Sequence, residues 1–362
     1  MNRRCRNARR QNMTTERKRE SYWDIVRGLG MLCIVLAHCC PKGNVIAFLY
    51  LFHVPLFFFL SGVLFDEEKW QQQGLAAYIG SRFISVWPRF VLYSVLFLLL
   101  HNPMAKAGLL AGGLFDKTTM LVQGLNAALF GCVDNNAGAL WFIAPWLLSS
   151  IAFGTTVLLA KKYLPEKAQI PAALTALAVM TAAGFFLNAK GIAVTYNAQT
   201  ALVMTGTLAA GWLLRKYFPG FRKYLGFVSL LLSTAVLVIL RRYFDVTMSL
   251  ADRNIRFPAA LIHIPAGIIM TMSAAELLTG VPKVRDAFAF LGRHSFDIMA
   301  LHFLTFKLID LVYITIKPEY AGSAAGFPVA FPKQLFPFYV ILGLLLPALA
   351  GAGLDRIRKK IR

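Results

Sequence analysis

Polar and apolar positions in this 362-residue chain alternate by whole segments, not by single residues. Apolar runs of roughly 17–22 residues recur, each bounded by a short cluster of charges, Gly or Pro, and that is the length a helix needs to cross a bilayer. A surface helix of a soluble protein would instead bring a polar face round every 3.6 residues. Inside lipid each backbone N–H and C=O must be paired within its own segment, so the runs are expected to be helices. They fall at 24–41, 45–65, 83–100, 139–160, 169–187, 199–214, 225–240, 258–278, 296–316 and 335–354. The stretch 107–133 is broken by Gly112-Gly113 and Asp116-Lys117 and reads as re-entrant or interfacial. The pattern therefore predicts an all-α polytopic membrane protein of about ten transmembrane helices. A basic tail (1–23), a membrane domain (24–354) and a second basic tail (355–362) make up the chain.

Composition agrees with the pattern: 57% of residues are hydrophobic and only 15% are charged, with a mean hydropathy of +0.59. Charge placement then orients the spans. With the N-terminus inside, the cytoplasmic segments hold 25 of the 38 Lys and Arg residues and the external loops hold 10. That bias predicts two cytoplasmic termini and an even number of spans. A net charge of +21 could indicate a nucleic-acid partner, but the basic residues are dispersed between spans, so the bilayer is the expected partner. The basic N-terminus before an apolar run resembles a signal peptide. Asp24 and Arg27 interrupt that run and no small-residue cleavage site follows, so an uncleaved first span is expected, with Met13 as an alternative start. Neither the five Cys nor the six His show metal-ligand spacing, so no metal and no permanently bound cofactor is expected.

Ionisable side chains within a span cost a few kcal/mol, which marks those present as candidates for chemistry. In the first span, Arg27 and His38 are eleven positions apart, about three turns plus 20°, so they share a face with Asp24 close by. Along the axis they are about 16 Å apart, enough to hold the phosphate end of a long ligand at one point and its reactive end at the other. The plainer alternative is an interfacial Asp24–Arg27 ion pair and a His38 that bonds a carbonyl. A short connection makes the second span, Tyr50-Leu-Phe-His53-Val-Pro55, an antiparallel neighbour, with His53 at a depth comparable to His38. Two imidazoles so placed could act as base and substrate anchor. Arg82 and Arg89, around Trp87-Pro88, suit either phosphates or interfacial anchoring. Trp141, after Asp134-Asn135-Asn136, suits a sugar or the membrane interface. The external loop from Arg241 to Arg256 carries four basic residues against the bias, with Asp252-Arg253-Asn254 near its end, and points to an anionic or polyol ligand. Asp297, His302, Lys307 and Asp310 in the ninth span are expected to line an interior cavity.

Several of these motifs resemble the acyltransferase 3 superfamily of membrane O-acyltransferases. The likeness begins at Asp24-Ile-Val-Arg27-Gly28 with His38, and continues through Phe52-His53-Val-Pro55-Leu-Phe-Phe-Phe-Leu-Ser61-Gly62. Leu140-Trp141-Phe142 and Leu291-Gly292-Arg293-His294-Ser295 through Leu301-His302 extend it. Phe-His before the Pro is similar to the fucose 4-O-acetylase-like branch. The resemblance implies ten spans, acyl-CoA as donor from the cytoplasm (acetyl-CoA by analogy with the branch) and a saccharide or glycolipid acceptor at the outer face. It implies a multi-pass protein of the bacterial cytoplasmic (inner) membrane. His38 would be the essential residue, acting as base or acyl carrier, with Asp24 and His53 beside it. Arg27, Arg82, Arg89 and His302 would hold the donor, and Trp141, Asp252, Arg253 and Asn254 the acceptor. Ile84-Ser85-Val86 lacks further arginines often found in the family there. The rival expectation is a secondary transporter or flippase of a polar solute, a class marked by inverted repeats and broken helices that the sequence does not display.

Overall fold

The computed structural model describes residues 3–361, with side chains from 21 to 360. Met13 and most of the basic 1–23 tail therefore have side chains outside the described residues. Among the described residues the secondary structure is helical, apart from one antiparallel bridge between Ser249 and Asn254. In order the helices are α1 (Arg3–Cys39), α2 (Gly43–Tyr50), α3 (His53–Val63), α4 (Glu67–Gln73), α5 (Leu75–Lys106), α6 (Lys117–Ala128) and α7 (Ile143–Tyr163). There follow α8 (Glu166–Ala189), α9 (Ala198–Tyr217), α10 (Phe227–Tyr243), α11 (Ala260–Leu278), α12 (Pro282–Arg293), α13 (Ser295–Ile316) and α14 (Pro332–Ile361).

Among the described residues eight stretches are long and apolar enough to cross a membrane, and the chain is an all-α polytopic membrane protein. The expected sixth and seventh spans are present as α9 and α10 but are not among the eight. Helix α10 has only 17 residues, and α9 dilutes its apolar side chains with Thr200, Thr205 and Thr207. Two of the segments expected in the cytoplasm are not simple loops or tails. Helix α14 continues unbroken into the expected 355–362 tail, and the segment after α11 folds as α12 against α1. In the 107–133 stretch, α6 lies beside α5 with Leu121 and Leu125 exposed.

The second span is a broken helix, α2 then α3, interrupted at Leu51 and Phe52. Pro55 explains the break, because it has no N–H to offer the Leu51 carbonyl one turn back. His263 of α11 fills the place, its Nδ1–H donating to Leu51 O at 2.8 Å. A buried carbonyl is thereby satisfied without water.

Two glycine pairs set the closest helix contacts. A Cβ on Gly28 would overlap the Phe288 carbonyl, and one on Gly292 would overlap the Asp24 carbonyl, so α1 and α12 touch backbone to backbone. Gly62 and Gly211 do the same for α3 and α9, against Leu208 and Phe59. Small residues at such crossings are how membrane helices gain packing where hydrophobic burial contributes little.

The polar residues of α13 do not line a common cavity, contrary to the expectation from sequence. Lys307 Nζ donates to Asp310 Oδ2 (3.2 Å), to the Ala324 carbonyl (3.0 Å) and to the Gly326 carbonyl. Tyr339 donates to the same Asp310. All three ammonium protons are used in tying the 324–326 loop to α13 and α14. Asp297 accepts from Tyr93 Oη at 2.6 Å. Each charge is matched locally because an unmatched one could not be buried.

Outside the spans Glu67 ties α4 to α7 and α9, accepting from Lys161, Lys216 (2.9 Å) and Trp212 Nε1 (2.9 Å). Burial pushes its carboxyl up, but the hydrogen bonds from Lys161, Lys216 and Trp212 outweigh it and hold the group below the ordinary glutamate value. A carboxylate depressed in this way stabilises the fold fully above the unfolded pKa of about 4.3, and the contribution is lost as pH falls through the lower folded value. Glu67→Gln is expected to melt below wild type at neutral pH in detergent, with the gap closing in acid; a gap that does not change with pH would refute this role. Gly28→Leu, which forces α1 off α12, should cost about 1–3 kcal/mol, read as a lower midpoint of thermal unfolding.

Candidate active site

Helix α1 presents Arg27, Met31, Ile34 and His38 at intervals of four, three and four residues, and all four line one cavity of about 330 Å³. The one-face relation of Arg27 and His38 thus becomes a wall. Across from it stand Tyr50 of α2 and His53 of α3, Arg82 and Val86 of α5, Trp141 and Trp146, and Met299 of α13. Arg27 and Arg82 stand on the early turns of the spans in α1 and α5, and His38, Tyr50 and His53 lie at the other end of the cavity. Between them the lining is apolar, with Met31, Ile34, Val86 and Met299.

Hydrogen bonding fixes the state of His38. His302 is fully buried, and its Nδ1 lies 3.0 Å from the Ile298 carbonyl and 2.9 Å from the Met299 carbonyl. Carbonyl oxygens only accept, so Nδ1 carries the proton, and Nε2 of a neutral ring is left as an acceptor. That Nε2 is 3.1 Å from His38 Nδ1. His38 therefore donates from Nδ1 and keeps its lone pair on Nε2. A doubly protonated His302 would need a counter-charge, and among the described residues no carboxylate pairs with it. The two rings lie nearly parallel, 5.1 Å apart and 19° inclined, with Phe303 edge-on to His38 at 4.8 Å. His302 itself does not line the cavity; it stands behind His38.

His53 has the same tautomer by a separate route, its Nδ1–H donating to Leu49 O at 2.7 Å. It does not touch His38. Tyr50 stands between them, edge-on to His53 at 5.0 Å and to His38 at 6.5 Å. Sequence reasoning quoted Tyr50 without giving it a role, although its position three residues before His53 puts the two on one side of the chain. Ser61 and Trp146 were also missed: Trp146 Nε1 donates to Ser61 Oγ at 2.7 Å, closing the wall between α3 and α7. No short-range pattern could have paired residues 85 positions apart.

The remaining candidates separate into two groups. Asp24 is the partner of Arg27 at 3.0 Å and does not line the cavity. Arg82 lies over the rings of Tyr78 (5.1 Å) and Trp70 (5.8 Å), which hold its guanidinium at the cavity edge. Arg89, expected at the donor, is outside the cavity, bonded to Asp355 at 2.9 Å and 3.9 Å from Asp297. Two carboxylates on α13 and α14 hold it away. Trp141 lines the cavity. Asp252, Arg253 and Asn254 belong to a turn pinned by the Ser249–Asn254 backbone pair and by Ser249 Oγ on Asp252 (2.6 Å); their neighbour Ala251 reaches the cavity wall.

Such a cavity can hold an amphipathic ligand with its anionic end on Arg27 and Arg82 and offer it an imidazole lone pair about 16 Å away. Against protein families, the chain matches the acyltransferase 3 family, described as an acyltransferase domain, over residues 20–354. No curated protein and no solved structure matches it.

The hydrogen-bond pattern makes a spectroscopic prediction. With 15N-labelled histidine, His38 is expected to give a protonated Nδ1 and an unprotonated Nε2, and His302→Leu should erase that preference. A His38 signal with the proton on Nε2 in the wild type would overturn the assignment.

Proposed function

The chain belongs to the acyltransferase 3 superfamily and is an acyltransferase; we propose that it moves acetyl from acetyl-CoA to a hydroxyl of a cell-envelope saccharide or lipid-linked sugar, in a bacterial cytoplasmic membrane. One observation carries this reading: His38 Nε2, with its lone pair held by the His302 contact, shares a cavity with Arg27 and Arg82. In the proposed reaction the arginines take the phosphates of CoA, and the apolar waist of Met31, Ile34, Val86 and Met299 takes its arm. The thioester then lies at His38.

His38 Nε2 removes the acceptor hydroxyl proton as the oxygen attacks the thioester carbonyl. A C–O bond forms, the C–S bond breaks, and the proton passes from His38 to the departing thiolate. As His38 becomes cationic its Nδ1–H bond to His302 strengthens, because hydrogen bonds from ionised donors are the stronger ones. The alternative route through the same atom has Nε2 attack the thioester first and carry the acyl group. His53, Trp141 and the Asp252–Asn254 turn are assigned to the acceptor. Asp24 orients Arg27.

The transporter reading keeps one argument of its own, the broken second span whose two halves bring Tyr50 and His53 to the cavity. Solute uptake by proteoliposomes with no CoA present would favour it.

Label transfer from radiolabelled acetyl-CoA in membranes tests the proposal. His38→Ala is expected to lower transfer about 10²–10⁴-fold while insertion is unchanged; full transfer by that variant would sink the mechanism. His302→Gln, whose side-chain carbonyl can still accept from Nδ1–H, should retain most activity that His302→Leu loses. Arg27→Ala is expected to raise the KM for acetyl-CoA more than it lowers kcat.

A further inference from the structure

A second cavity, of about 890 Å³, lies between α9 and α11, floored by Phe59 of α3. Leu261 and Ile269 on its rim are exposed although they belong to a membrane-spanning helix, so it opens toward lipid. Its only side-chain polar groups are hydroxyls such as that of Thr181, already bonded to the Leu177 carbonyl. From Ala260 to Met272 it follows α11 for about 18 Å, close to the roughly 15 Å depth of one leaflet. Its shape and chemistry are those of a seat for a lipid chain.

The charges at its two ends decide which way a lipid would lie. At the cytoplasmic end most cations are occupied, and one, Lys223 over the Tyr224 ring at 4.9 Å, pairs with no carboxylate among the described residues. Arg222 makes two bonds to Glu276 (2.7 and 2.9 Å), Lys216 is on Glu67, and Arg215 donates to the Val63 carbonyl. At the other end Ala260 N–H donates to the Arg256 carbonyl, and Phe257 packs edge-on against the groove residue Phe185 at 5.5 Å. There Arg242, Arg253 and Arg256 are exposed and, among the described residues, pair with no carboxylate; only Arg241 does, with Asp245. An anionic head is therefore favoured at the end of the external loop.

That loop also joins the two cavities. Ala251 lines the first and Ala260 the second, nine residues further on. We propose that the groove seats the chain of a phosphate-headed lipid whose head rests on Arg253 and Arg256, and that this lipid carries the acceptor hydroxyl to the mouth of the His38 cavity. The proposal rests on the acyl-transfer reading above, and of the two acceptors named there it selects the lipid-linked sugar and gives it a phosphate head. The lipid chain holds the acceptor at the protein, so its hydroxyl meets His38 without separate capture from solution.

The test uses the full-length protein in phosphatidylcholine vesicles with a polyprenyl phosphate bearing a diazirine in its chain. Crosslinks are expected on 198–217 and 260–278. Ala210→Trp, at an exposed groove position, should remove them, and Arg256→Gln should weaken capture roughly fivefold. Crosslinks spread evenly over all lipid-facing helices and unaffected by either variant would overturn the seat. Equal competition by phosphatidylglycerol would overturn the carrier role, leaving an ordinary phospholipid site. In parallel, acetyl transfer is measured to a sugar on a lipid phosphate and to the same sugar freed from it. Ala210→Trp should lose the first and keep the second. Wild type that crosslinks in the groove but transfers to neither acceptor would instead count against the acyl-transfer reading itself.

Discussion

Contact between the backbones of α1 and α12 fixes the register on which the site depends. Asp24 meets Gly292 and Gly28 meets Phe288, so the two helices run in opposite directions where they cross. The chain turns at His294 and α13 then runs back alongside α1. With that crossing set, α13 brings His302 Nε2 to 3.1 Å from His38 Nδ1. A side chain at either glycine would move one helix against the other by more than the tolerance of a 3.1 Å hydrogen bond.

A second constraint, the absence of water to satisfy backbone groups, shapes the opposite wall. Pro55 interrupts the second span, and the freed Leu51 carbonyl is met by His263 from a helix more than two hundred residues away. Tyr50, at the end of α2, and His53, at the start of α3, flank the break, and both line the cavity with Phe57 and Ser61. The break is thus part of how the wall is built.

Much of the fold was legible in the sequence because the bilayer imposes a length and a composition on each span. The ten apolar runs correspond to helices in their expected order, and the Arg27–His38 relation followed from helical pitch alone. What escaped were pairings across the chain. The charges of α13 read as a functional stripe, yet Lys307, Asp310 and Tyr339 fasten a loop, and Asp297 meets Tyr93 and Arg89. A span sequence shows that a charge is present but not which neighbour neutralises it. Arg89, expected at the donor, lies outside the cavity for the same reason, since its partner Asp355 is 266 residues away. His302 stood out in the sequence as a motif residue, but its position behind His38 required the packing of α13.

The histidine pair ends in two main-chain carbonyls of Ile298 and Met299, groups that cannot take up a proton. Among the described residues the hydrogen bonds behind His38 run through His302 to those two carbonyls and reach no carboxylate. A proton received at His38 Nε2 has to leave through the same nitrogen. In the proposed reaction this couples proton donation strictly to thiolate departure. An acyl group then passes one way as a hydrogen ion passes the other, and the exchange draws nothing from the voltage across the membrane.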